Sequence, residues 1–117
     1  MIDTNQIAES LRNFATERDW NQFHTPKNLA TSIVVESAEL LELFQWSRGQ
    51  SGWEELADQK LKGRAAEELA DILIYAIRFA DLARIDLQEA ILSKISHNAA
   101  KYPSERVRGS DKKYNEH

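Results

Sequence analysis

The sequence predicts an all-α domain, a bundle of four to five helices. Three observations carry this. Apolar residues recur at spacings of three and four over most of the chain, the period of helices with one buried side. The 117 residues include only four Gly and two Pro, so few positions force a break. No segment alternates apolar and polar residues long enough to read as a strand. A chain of this length builds one compact domain, so residues 1–117 are expected to form a single unit, with 104–117 as its polar tail.

The elements follow in order. Asp3 or Thr4 caps a first helix on which Ile7, Leu11 and Phe14 share a face, and which fades near Asp19–Trp20. Trp20–Thr25 reads as a loop rich in ring side chains. Thr25-Pro26 is an N-cap followed by Pro at the first helical position, opening a helix to about Trp46 or Ser47. Residues 48–52 break it. Ser51 and Glu54 have capping-box spacing for a short helix over Trp53–Asp58. Gly63 suggests a bend or boundary between Lys60 and Arg64. Arg64–Arg84 is apolar nearly all round the wheel, as a central helix should be. Asp86 and Glu89 start a last helix, which Pro103 stops near Tyr102.

Composition excludes several classes. Cysteine is absent, which removes disulfides, thiolate zinc sites and Cys nucleophiles. No apolar run reaches the roughly 18 residues of a membrane span, and no secretory signal opens the chain. A cytoplasmic protein without a membrane partner is expected. The net charge of −4 at pH 7 argues against a broad basic surface for nucleic acid. A small anionic ligand remains compatible if metal ions supply the counter-charge.

Two carboxylate pairs carry the chemistry. Glu36 with Glu39, and Glu68 with Asp71, are each spaced i, i+3 within helices that otherwise read as buried. Glu36 interrupts an apolar face and Asp71 an apolar helix. Ionised carboxylates are costly to bury unless they are paired or bind metal. Solvated helix acids are the plain alternative. Four converging acids would instead repel one another unless a divalent cation joined them, and an all-oxygen set favours Mg²⁺ or Mn²⁺ over Zn²⁺.

VESAELLELFQW (35–46) followed by EELADILIYAIRFAD (67–81) resembles the all-α nucleoside triphosphate pyrophosphohydrolases of the MazG-like superfamily, and within it the dCTP pyrophosphatase group. FHTPKNL before the first acidic helix, SKISHNAAKYP after the second and RVRGSDKKY near the end extend the likeness over nearly all of Trp20–Tyr114. Val35 stands where the general motif has its first Glu, which leaves one fewer acid for a further metal ion.

The resemblance implies a Mg²⁺-dependent hydrolysis between the α- and β-phosphates of a dNTP, with dCTP or a modified dCTP favoured. It implies Glu36, Glu39, Glu68 and Asp71 as metal ligands. Glu39, at the flank of its face, is the residue assigned to activate water. Lys94, Asn98, Lys101 and Tyr102 become phosphate and sugar contacts, with Lys94 counted among the catalytic residues. The family likeness also implies a homo-oligomer, a dimer or tetramer, which suits a central helix apolar on all sides. Arg108, Lys112 and Lys113 either fold over the triphosphate or form a tail.

Trp20, His24, Trp46 and Tyr75 are the candidates for a base pocket. Nucleobases stack well on aromatic rings, and His24 offers both a donor and an acceptor. Aromatic residues at helix ends equally serve as core or interface. Two rival functions stay open: the same reaction on dUTP or a non-standard purine triphosphate, and a helical interaction module without catalysis.

Overall fold

The computed structural model describes residues 1–47 and 52–109. The break at 48–51, Ser51 as a cap, and Lys112 and Lys113 lie outside them. Among the described residues the regular structure is entirely helical: α1 (Thr4–Glu17), a 3-10 turn (Asn21–Phe23), α2 (Pro26–Glu42), a second 3-10 segment (Gly52–Ala57), α3 (Gln59–Ala83), α4 (Leu87–Lys101) and α5 (Ser104–Val107). No described helix is long and apolar enough to cross a membrane. The chain gathers into two compact units, Met1–Arg84 with α1–α3 and a second that begins at Ile85 with α4 and α5.

Side-chain caps set the helix starts. Asp3 accepts from the Gln6 amide at 3.1 Å, Thr25 from Asn28 at 3.2 Å and Asp86 from Glu89 at 3.0 Å. Each satisfies an amide that has no partner within its helix. Pro26 occupies the first turn of α2. Asp19 ends the first helical segment with φ 55°, a left-handed conformation that Asp tolerates better than most residues.

Two boundaries differ from expectation. α2 stops at Glu42, short of Trp46. Its continuation tightens into i→i+3 bonding, with Phe44 donating to Leu41 and Ser47 to Phe44, both at 2.9 Å. Gly63 marks no boundary. Asp58 caps the Lys60 and Leu61 amides, so α3 starts before Gly63 and runs through it. Nothing lies within 4 Å of where a Gly63 Cβ would sit, so no close packing accounts for the glycine. The supposed tail also holds the short helix α5.

In the first unit α3 packs chiefly on α2 and also on α1. Among the described residues the buried apolar ones are few: Ala8 and Ala15 on α1, Leu29 on α2, and Ile77 and Ala80 on α3. The packing leaves Leu69, Leu73 and Leu82 of α3 exposed, as well as Val34 and Leu41 of α2. This arrangement brings the acidic stretch of α2 against that of α3.

Candidate metal centre and adjoining cavities

Glu36 and Glu39 are one turn apart on α2, and Glu68 meets them from α3. Each offers one carboxylate oxygen, and the three oxygens lie within 4.8 Å of one another. Oε2 of Glu36 and Oε2 of Glu68 are buried and make no hydrogen bond. Buried acceptors without partners are rare in proteins and call for an explanation.

Electrostatics record the strain. The Glu36 carboxyl is pushed up to about 7. Burial is the first cause, followed by hydrogen bonding to Glu39 and by the charges of Glu39 and Asp71. The Glu68 carboxyl is also raised, first through hydrogen bonding to Glu39, then through burial and the charges of Glu39 and Asp71. In the absence of a cation, this cluster keeps a proton to limit its own repulsion. Asp71 stands outside the three-oxygen group but near enough for its charge to act on both glutamates. The donor set is all oxygen, crowded and incompletely hydrogen-bonded, which fits a hard divalent cation.

Two cavities border these acids. One, of about 590 Å³, is lined by Phe14, Trp20, Phe23, His24, Tyr75 and Asp71, among others. Its rings are fixed in part by one another: Phe14 and Trp20 meet edge to face with centroids 5.6 Å apart, and the Arg18 guanidinium lies 3.7 Å from the Phe14 centroid. The other cavity, of about 390 Å³, is more polar. Glu39, Glu42, Gln45, Arg64 and Glu68 contribute to its lining. Asp71 thus faces an aromatic chamber, while Glu39 and Glu68 face a charged one.

The sequence candidates distribute unevenly. Trp20, His24 and Tyr75 line the aromatic cavity; Trp46 does not, and is 89% exposed. Lys94, Asn98, Lys101 and Tyr102 belong to the second unit. Lys94 and Asn98 are exposed on α4, and Lys101 and Tyr102 are half-buried at its end. Sequence reasoning did not single out Arg64, which supplies positive charge to the polar cavity.

Sequence reasoning also gave no role to Arg78, which lines the aromatic cavity and is 3% exposed. Its Nε donates to His24 Nδ1 at 3.0 Å and its Nη2 to Asn21 Oδ1 at 2.6 Å. Nη1 faces Asp81 Oδ2 at 3.8 Å, and Asp81 also accepts from Arg12 of α1 at 2.7 Å. A signal for Arg78 existed: like Asp71, it interrupts the apolar run of α3.

Comparison with known proteins follows the same lines. The model of the MazG-like family matches residues 31–116. The chain is 45% identical over 107 residues to dCTP pyrophosphatase 1 of Homo sapiens, covering 88% of this chain and 61% of that protein. It is 43% identical over 101 residues to dCTP pyrophosphatase 1 of Mus musculus, covering 86% of this chain and 59% of that protein. The chain therefore spans about three-fifths of the length of these relatives. The crystal structure of a pyrophosphatase from Archaeoglobus fulgidus superposes with a TM-score of 0.78 at 44% identity, covering 85% of this chain and 91% of that one.

Proposed function

The chain belongs to the MazG-like family, and on that premise we propose that it is a nucleoside triphosphate pyrophosphohydrolase. It would convert a dNTP, dCTP or a modified dCTP first, to the monophosphate and pyrophosphate, with Mg²⁺ as cofactor and Mn²⁺ as a substitute. The observation that carries this is the cluster of Glu36, Glu39 and Glu68, in which Glu36 and Glu68 each keep a buried oxygen without a hydrogen bond, beside a polar cavity that Glu39 and Glu68 line and an aromatic one that Asp71 lines. The names of the mammalian relatives support the choice of dCTP.

Glu36, Glu39, Glu68 and Asp71 would hold the cation. When bound, it supplies positive charge for phosphate oxygens and lowers the pKa of water. Glu39 keeps the role of orienting or deprotonating the attacking water. Trp20, Phe23 and Tyr75 offer ring faces to the base, His24 offers a hydrogen bond to its edge, and Arg64 offers charge to phosphate. Lys94, Asn98, Lys101 and Tyr102 retain the phosphate and sugar roles that the family resemblance gives them. A homo-oligomer is part of the proposal, supported by exposed Val34, Leu41, Ile91, Leu92 and Ile95.

The test is product analysis across a panel of NTPs and dNTPs with Mg²⁺ and with EDTA. Metal-dependent release of pyrophosphate and monophosphate is expected, and Asp71→Asn should abolish it while the helical circular dichroism is kept. Orthophosphate release would place cleavage at a different bond. No turnover of any nucleotide would return the chain to the class of helical interaction modules.

A further inference from the structure

Arg78 is a permanent charge inside a helix, and a guanidinium does not deprotonate in proteins. At 3% exposure it requires partners. Nε and Nη2 find them in His24 and Asn21, while Nη1 makes no hydrogen bond and faces Asp81 at 3.8 Å. Asn21 is itself tied to α1, its amide donating to Thr16 Oγ1 at 3.2 Å. The guanidinium thus joins α3 to the turn that carries His24.

The direction of the His24 bond fixes the chemistry. Arg78 Nε can only donate, so His24 Nδ1 must be bare to accept. A neutral imidazole carries one N–H, which then sits on Nε2. Burial, and then the Arg78 charge, lower the His24 pKa and keep the ring neutral. His24 lines the aromatic cavity, and Nε2 has no hydrogen-bond partner among the described residues.

We infer that Arg78 is a positioning residue that locks His24 as its Nε2–H tautomer. The cavity is thereby given a fixed hydrogen-bond donor that accepts a base edge turning a bare acceptor towards it and refuses an edge turning an N–H towards it. A carbonyl oxygen or an unprotonated ring nitrogen qualifies, and the O2–N3 edge of cytosine has both. This specificity role rests on reading the cavity as the base site; the tautomer does not. A donor facing another donor would leave both unpaired, which is the strongest discrimination a polar site achieves.

The test pairs spectroscopy with kinetics on the full chain. Nitrogen-15 spectra of histidine-labelled protein without nucleotide, at pH 8, report which nitrogen of His24 carries the proton; His24→Gln assigns the signals. Wild type should show a bare Nδ1 and a protonated Nε2. Arg78→Met should relax towards the mixture of a free imidazole. Its KM for dCTP should rise about tenfold, the loss of one oriented hydrogen bond, while kcat stays within about twofold. Arg78→Lys keeps the buried charge facing Asp81 without the Nε donor, and should raise KM in the same direction if Arg78→Met does not fold.

A protonated Nδ1 in the wild-type spectrum would overturn the inference before any variant is made. An unchanged KM in the folded variants would overturn the specificity role. Failure to turn over any nucleotide, with Nδ1 bare, would overturn the functional reading and the base-selecting role together, leaving the tautomer established.

Discussion

Metal binding to this cluster should release protons, because two of its carboxyls are raised. Glu36 carries a carboxyl pushed up to about 7 by burial and by Glu39 and Asp71. A ligand to a cation must be deprotonated, so the proton leaves as the cation arrives. With its carboxyl raised to about 7, Glu36 should give up most of a proton on metal binding at pH 6 and little of one at pH 8. Glu68, also raised, adds to this release in the same direction. Apparent Mg²⁺ affinity should therefore climb from pH 6 to pH 8 and then level off. Titration calorimetry in buffers of different ionisation enthalpy counts the protons at each pH. In Glu36→Gln the Glu36 contribution should vanish. A proton count near zero at pH 6 in wild type, with Mg²⁺ bound, would refute the assignment of Glu36 as a protonated ligand in the metal-free protein.

Three further outcomes are expected. In EDTA, the stability that Glu36 contributes is present below its ordinary value of 4.5 and is lost as pH rises through about 7. Wild type should thus weaken relative to Glu36→Gln between pH 5 and 8, read as the difference in Tm; the opposing pH dependence of His24 is common to both proteins and cancels. Trp20→Ala removes a ring from the aromatic cavity and should raise KM for dCTP about 5- to 160-fold, the value of one stacking contact of roughly 1–3 kcal/mol; an unchanged KM would take Trp20 out of the base site. Leu29→Ala, at a position 2% exposed, should cost about 2–5 kcal/mol, a fall in Tm of roughly 8–20 °C in thermal melts.

How much of this was legible in the sequence depends on the range of the interaction concerned. The caps at Asp3, Thr25 and Asp86 act over three residues, and the structure has them where the sequence placed them. Gly63 reads as a breaker, whereas a good cap five residues earlier, Asp58, has already started the helix. The Arg84 cap of α3, at φ 58°, had no signal, since a left-handed Arg is not what propensity leads one to expect. Helical periodicity pointed to the acids because it shows when a charge sits on the wrong side of a helix. It could not show that Glu39 and Glu68 would line one cavity and Asp71 another, because that depends on how α2 packs against α3.

The link between Arg78 and His24 spans 54 residues, and no local pattern contains it. Yet Arg78 interrupts the apolar run of α3 just as Asp71 does. What separates the charges on this helix is how far each is satisfied. Glu68 keeps a buried oxygen without any hydrogen bond, and its carboxyl is raised; such a group is stabilised only by something that arrives from outside. Arg78 hydrogen-bonds through Nε and Nη2 to two side chains of the neighbouring turn, and its buried Nη1, without a hydrogen bond, faces Asp81 at 3.8 Å; two of its donors are spent within the protein, on holding other groups in place. An unsatisfied charge buried in an apolar helix therefore argues for a ligand. One tied to neighbouring side chains by directed hydrogen bonds argues for a positioning role, and the residue to examine next is the one it holds, here His24.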